Sequence, residues 1–203
     1  MLKNYIDYWQ DVKDATMITI NLTKGKYPKD RWKRMLLISE HSPIRKIKFN
    51  WVWRDLMSWV SVHIVRHKFG IEHFVSTKRT DRTGVDRGKL PQDTLVNHEI
   101  ELNAQSAINI SQKRLCYQAS KETREAWREF LEGIKDKEPE VYHVCVPSCI
   151  YRCGCPEITN CGFFDRFARQ MIDVDDDAHD IDERYMWYHE YLKIIKKNID
   201  FKI

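Results

Sequence analysis

Apolar positions recur along this chain in two rhythms, one near the helical period and one alternating, and together they predict a helix-rich α+β protein with a small, mostly antiparallel sheet. From Asp30 to Glu40, Trp32, Met35, Leu36 and Ile38 fall at helical spacing behind Pro28, which predicts a short helix. Ile44 to Trp53 alternates and predicts a strand. Asp55 then stands where a helix cap is needed, ahead of Leu56, Trp59, Val60, His63 and Ile64, with Gly70 as the stop. Phe74–Thr80 reads as β-like, Asp81–Pro91 as a loop, and Thr94–Leu102 fits either period. Asn103–Gln118, Lys121–Lys135 behind Ser120 and Thr123, a shorter segment from Pro139 to Pro147, Phe163–Met171 and Glu183–Lys197 read as helices. The cysteine-rich segment between the last two groups reads as irregular.

A length of 203 residues fits one domain, spanning 1–203, without a repeat or a low-complexity linker. Seventeen Tyr and Phe and seven Trp supply bulk for a core, since each buries on the order of 150–250 Å². Trp51, Trp53 and Trp59 are read as core rather than as a platform for a planar ligand. No run of about 18 apolar residues occurs and the opening Met1–Tyr5 lacks a signal-like segment, so a cytoplasmic protein outside the membrane is expected. The net charge of +4 is too small by itself to call for a nucleic-acid partner. Its distribution matters more: basic residues crowd Lys24–Arg34, Arg45–Lys48 and Arg66–Lys89, and an acidic block runs from Asp173 to Glu183. The first half is the place for an anion, while the acidic block lacks the spacing of a calcium loop.

Six cysteines in a chain without a secretion signal read as thiols or metal ligands. Cys149, Cys153, Cys155 and Cys161 are the candidate zinc set, because four thiolates staple irregular segments that have little core. The spacing is not that of paired zinc-finger units, and the plainer reading is small buried hydrophobes. Cys116 is assigned to a helical core face.

Arg66-His67-Lys68 is followed after seven residues by Ser76, with Lys78 and Arg79 just beyond. Cations in the last turn of a helix favour its dipole by about 0.3–1 kcal/mol, which would account for the first three on structural grounds alone. The wider pattern resembles the flavin-dependent thymidylate synthases, whose signature is Arg-His-Arg, seven residues, Ser. Glu40-His41-Ser42-Pro43-Ile44-Arg45-Lys46 is similar to that family's segment upstream of the signature, and Glu140–Pro147 to a later one. The likeness covers roughly residues 30–80 well and 100–170 loosely.

The resemblance implies a homotetramer with sites between subunits, holding FAD, using NADPH as reductant and methylenetetrahydrofolate as carbon donor, and converting dUMP to dTMP. It further implies Arg66, His67 and Lys68 at the cofactor, Ser76, Lys78, Arg79 and His143 at the substrate, and Arg169 as the catalytic arginine. Arg45, Lys46, His63, His73, Phe74 and His143 depart from the family pattern, and Lys78 replaces a bidentate Arg by a point charge. These departures leave open a related flavoenzyme with another uridine nucleotide or carbon donor. A metal-stapled nucleic-acid-binding protein using Lys78–Lys89 is the reading from another class.

Overall fold

A computed structural model describes residues 1–173 and 177–200, with side chains as far as Lys196. The chain opens with β1 (Leu2–Lys3), α1 (Trp9–Ile18) and α2 (Asp30–Ile38), then runs through β2 (Lys48–Met57), α3 (Ser58–Val65), β3 (Ile71–Val75) and α4 (Thr80–Thr83). β4 (Leu95–Asn103) precedes α5 (Ala104–Arg114), α6 (Lys121–Ile134), α7 (Pro139–Val144), α8 (Ser148–Tyr151), α9 (Phe163–Met171) and α10 (Ile181–Asp200). The four strands form one antiparallel sheet in the order β1-β2-β4-β3.

β4 alternates Val96, His98, Ile100 and Leu102 inward against exposed or half-buried neighbours, the pattern of a sheet with one packed face. Its partner β2 sets Phe49 opposite Leu102, Trp51 opposite Ile100 and Trp53 opposite His98. Helix α6 covers these rows with Trp127 and Phe130, both fully buried. Two indoles are anchored at the same contact: Trp53 Nε1 donates to the Ala126 carbonyl at 3.1 Å and Trp127 Nε1 to Ser111 Oγ at 2.9 Å. Gly133 is obligatory there, because a Cβ would stand 2.2 Å from the Trp51 ring. On the far side α10 adds Tyr185, Tyr188 and Tyr191, packed with Phe163 and Phe167 of α9 into the same apolar cluster. The tryptophans Trp51 and Trp53 are core, as expected.

Several local expectations are corrected. The start of the predicted Ile44–Trp53 strand is a 3-10 turn over Ser42–Lys46, because Pro43 fixes φ and removes a donor. Asp55 caps no helix: β2 continues to Met57 through a bulge between Trp53 and Leu56, where Asp55 takes φ 54°. Helix α3 therefore begins at Ser58 and ends at Val65, short of Gly70. β3 lies at Ile71–Val75 rather than Phe74–Thr80, and the expected loop at Asp81–Pro91 contains the end of α4 and a 3-10 turn over Arg87–Lys89. Helix α1 was not legible, since it buries only Trp9 and Val12, and neither was α8 inside the cysteine-rich segment. Asp175 and Asp176 of the acidic block lie outside the described residues.

Candidate functional site

The turn that follows α3 is clamped against the start of α5. Asn103 caps α5 by accepting from the Ser106 amide at 2.9 Å, and Ser106 Oγ donates to the Phe69 carbonyl at 2.7 Å. Gly70 sits at φ +66°, with space for a Cβ blocked by Ser106 Oγ at 2.4 Å and Asn103 Nδ2 at 2.5 Å. Held in this way, Arg66, His67 and Lys68 line one surface cavity of about 190 Å³ together with Ser106 and Asn109 of α5. Arg66 and Lys68 are exposed. Neither makes a side-chain hydrogen bond among the described residues, so their donors are available to an anion.

His67 is different. Its Nε2 accepts from Arg114 Nε at 2.8 Å, while Arg114 Nη2 donates to the His63 carbonyl at 2.6 Å. Burial, then the Arg114 charge, then His73 hold the His67 imidazole down to about 4. His67 is therefore neutral at pH 7 with its proton on Nδ1, and the charge at this end of the cavity is carried by Arg66, Lys68 and, behind the ring, Arg114.

Behind the turn runs a chain of imidazoles whose proton positions follow from its last acceptor. His73 Nε2 is 2.8 Å from the His67 carbonyl and must donate to it. In the neutral ring His73 Nδ1 is then an acceptor, and His98 Nε2 donates to it at 3.1 Å. His98 Nδ1 in turn accepts from Ser61 Oγ at 3.0 Å. His98 is fully buried, and burial with the neighbouring His73 lowers it to about 4. This relay connects α3, β3 and β4 to the motif turn. Arg114, His98 and Ser61 were missed from the sequence; the available signal was Arg114 standing eight residues after Ser106 in α5, on the same helix face.

The Ser76 segment lies beyond the other end of β3. Ser76 Oγ accepts from the Asn97 amide at 3.0 Å, and Lys78 Nζ donates to the Thr94 carbonyl at 3.1 Å. Arg79 is engaged by Asp81 through Nε at 3.0 Å and Nη2 at 2.7 Å. None of the three lines the Arg66–Lys68 cavity. Six residues of extended chain from Gly70 put the two ends roughly 20 Å apart.

His143 belongs to a third place. Its Nε2 is 2.8 Å from Asp182 Oδ1, a carboxylate that also receives Arg34 Nε at 3.1 Å. The cavity there, about 470 Å³, is lined by Asp30, Glu140, Asp182 and Glu183 against the one cation Arg34. Burial lowers the His143 imidazole, with Asp182 opposing. Four carboxylates repel a phosphate, so within one chain His143 is not placed as a phosphate ligand. Arg169 is exposed in the last turn of α9, where Nε donates to the Asp165 carbonyl of its own helix at 3.1 Å.

The proposed zinc set also needs correction. Cys153 takes φ 53° and turns its Sγ toward the Ala178 carbonyl at 3.6 Å, away from the other three. Cys149, Cys155 and Cys161 instead share a small cavity with Cys116. Among the described residues no group of three His, Cys, Asp or Glu side chains is placed to hold a metal ion as the side chains stand. No described helix is long and apolar enough to cross a membrane.

No family profile matches this sequence, and no curated protein matches it. Solved structures do. The flavin-dependent thymidylate synthase ThyX from Helicobacter pylori, crystallised with FAD and dUMP, superimposes with a TM-score of 0.58 over 72% of this chain and 98% of its own, at 13% identity. A UMP/dUMP methylase, PolB from Streptomyces cacaoi, bound with 5-Br dUMP, does so with a TM-score of 0.56 over 70% of this chain and 92% of its own, at 11% identity. The helix-rich α+β fold with its four-stranded antiparallel sheet is the fold of these proteins.

Proposed function

We propose that this chain is a flavin-dependent enzyme that methylates dUMP reductively to dTMP, with FAD held at the Arg66–Lys68 turn and the nucleotide phosphate at Ser76 and Lys78. The observation that supports this reading is the cavity itself: a signature segment read from the sequence presents two free cations and a neutral imidazole N–H around about 190 Å³. That volume suits a pyrophosphate and is too small for a whole dinucleotide, so the isoalloxazine ring lies outside it. Phe69, which lines the cavity and is 91% exposed, offers an apolar surface suited to a ring system or a second subunit.

Arg66 and Lys68 neutralise the pyrophosphate, and His67, kept neutral and oriented by Arg114, contributes a directed N–H. When bound and reduced by NADPH, the flavin would supply the hydride, and methylenetetrahydrofolate would supply the carbon. No protein nucleophile is required, and the work of the chain is placement and charge compensation. The roughly 20 Å between the two ends of β3 calls for sites completed by a neighbouring copy, in keeping with a homotetramer. Arg169 and His143 have a role in this scheme only through such neighbours.

UMP is the competing substrate to test, given the likeness to a UMP/dUMP methylase. The nucleic-acid reading is weakened because Arg79, Arg82 and Lys89 are each close to a local carboxylate. The purified protein should take up FAD, turn yellow and oxidise NADPH in a dUMP-dependent manner with methylenetetrahydrofolate present. A preparation that binds neither FAD nor dUMP, yet shifts DNA with steep salt dependence, supports the nucleic-acid reading instead.

A further inference from the structure

Cys116, Cys149, Cys155 and Cys161 converge from three separate places in the fold. Cys116 lies just past the end of α5, Cys149 is in α8, and Cys155 and Cys161 belong to the segment 152–162 that joins α8 to α9. All four line one enclosed cavity of about 10 Å³, walled by Pro147, Pro156 and Phe163. A space of that size admits a single sphere no larger than a water molecule. Water there would need two to four polar partners; besides the four thiols the lining is mostly prolines and aromatic rings, with Tyr117, Ser148 and Glu157 as its oxygen-bearing side chains. Glu157, at the same cavity, points its carboxylate toward Lys113 Nζ at 3.8 Å.

The segment 152–162 needs something to hold it. Its sequence, Arg-Cys-Gly-Cys-Pro-Glu-Ile-Thr-Asn-Cys-Gly, has one aliphatic side chain, and that one, Ile158, is fully exposed. Its backbone is irregular, with Cys153 at φ 53° and Gly162 at φ 71°. Ordering this segment costs conformational entropy, and the contacts that oppose the cost are few: the Gly154 amide donates to the Cys149 carbonyl at 2.8 Å, Gln118 Nε2 donates to the Thr159 carbonyl at 2.8 Å, and Cys161 packs against the core. Cys155, Pro156, Glu157 and Cys161 are the members of this segment that line the cavity.

We infer that Cys116, Cys149, Cys155 and Cys161 form a structural zinc site that ties the segment 152–162 to the ends of α5 and α8. Thiolate sulfurs at about 2.3 Å in a tetrahedron are the donor set such a site requires. The thiols ring the cavity without meeting at a common centre. A cysteine has one side-chain torsion, however, and a rotamer change carries its sulfur by roughly 3 Å without moving the backbone. The spacing is Cys-x5-Cys-x5-Cys with a distant fourth member, which is why paired zinc-finger spacing does not reveal it. Cys153, facing Ala178, and Cys145, which lines a separate cavity beside Tyr188, are outside the set. This site is independent of the flavin reading, because none of its residues touches the Arg66–Lys68 cavity.

The full-length chain, purified without chelator, should contain about one zinc per chain by elemental analysis. Cys153→Ser should keep it, and Cys116→Ser should reduce it to below about a tenth. Alkylation of the native wild type, read by mass spectrometry, guards against a variant that fails to fold. Cys116, Cys149, Cys155 and Cys161 should all become more reactive when a strong chelator is added, with Cys153 unchanged. Zinc lost from Cys153→Ser but retained by Cys116→Ser overturns the assignment. So do an intact mass showing disulfides among the four, iron in place of zinc, or a wild type that neither contains zinc nor takes it up from micromolar solution.

Discussion

His98 carries no charge in the folded protein because its surroundings give it both hydrogen bonds and no water. Ser61 satisfies Nδ1, His73 takes the Nε2 proton, and the ring is fully buried beside Trp53. With a folded value of about 4 against an ordinary 6.5, the unfolded chain binds more protons than the folded one between those limits. The stability contributed by neutral His98 is therefore complete above about pH 6.5 and lost as pH falls toward about 4. His67 and His189 act in the same direction, whereas Glu138, raised by burial to about 7, opposes them by losing stability as pH rises from 4.5 to 7. Thermal unfolding of wild type and His98→Asn across pH 4.5–7.5 isolates the His98 part: the variant should show the shallower loss on the acid side. Equal slopes would contradict a buried, neutral His98. At this scale the sequence conveyed which residue types cluster near Arg66 but not their charge states. His67 stays neutral because it is buried and because the Arg114 guanidinium, 47 positions away, lies against its Nε2, and neither is visible in the local pattern.

Among the elements, the motif turn depends on a contact that no local pattern encodes. Gly70 reads in sequence as a helix stop, yet α3 has already ended at Val65. Gly70 instead permits the close approach of the turn to Asn103 and Ser106 at the start of α5. Gly70→Ala forces a Cβ into both side chains at a left-handed φ and should cost about 1–3 kcal/mol. Its melting temperature should drop by several degrees, and anion binding at the Arg66–Lys68 cavity should weaken with it. An unchanged melting temperature would show that the turn is not clamped. Strongly patterned elements were legible: α9 falls at Phe163–Met171 as read, and α6 begins after Ser120, which accepts from the Thr123 amide. Elements decided by tertiary contacts were not. β2 extends through Asp55 because its pairing with β4 resumes beyond the bulge, outweighing a helix-cap residue.

In the molecule as a whole, the two cationic ends of β3 do not share the Arg66–Lys68 cavity, and this is the property that most constrains the proposed function. Under the proposed function, a site built from both ends would take Arg66 and Lys68 from one copy and Ser76 and Lys78 from another. If so, Arg66→Ala and Lys78→Ala, each with little activity alone, should complement when unfolded together and refolded. Random mixing leaves about a quarter of sites with both intact ends. Absence of any recovery, with mixed oligomers demonstrated, would place both ends in the same copy. Sequence conveyed the motif and the fold class, since both reside in short segments, while the separation of Ser76 from Arg66 and the acidic setting of His143 depend on how distant segments meet.

The most direct test of the central claim is the affinity of FAD for the wild type and for Arg66→Ala, measured by flavin fluorescence at constant ionic strength. Removing one charge-assisted contact to the pyrophosphate should weaken binding by about 10–100-fold. Equal affinities for the two proteins, or a wild type that does not bind FAD, would contradict it.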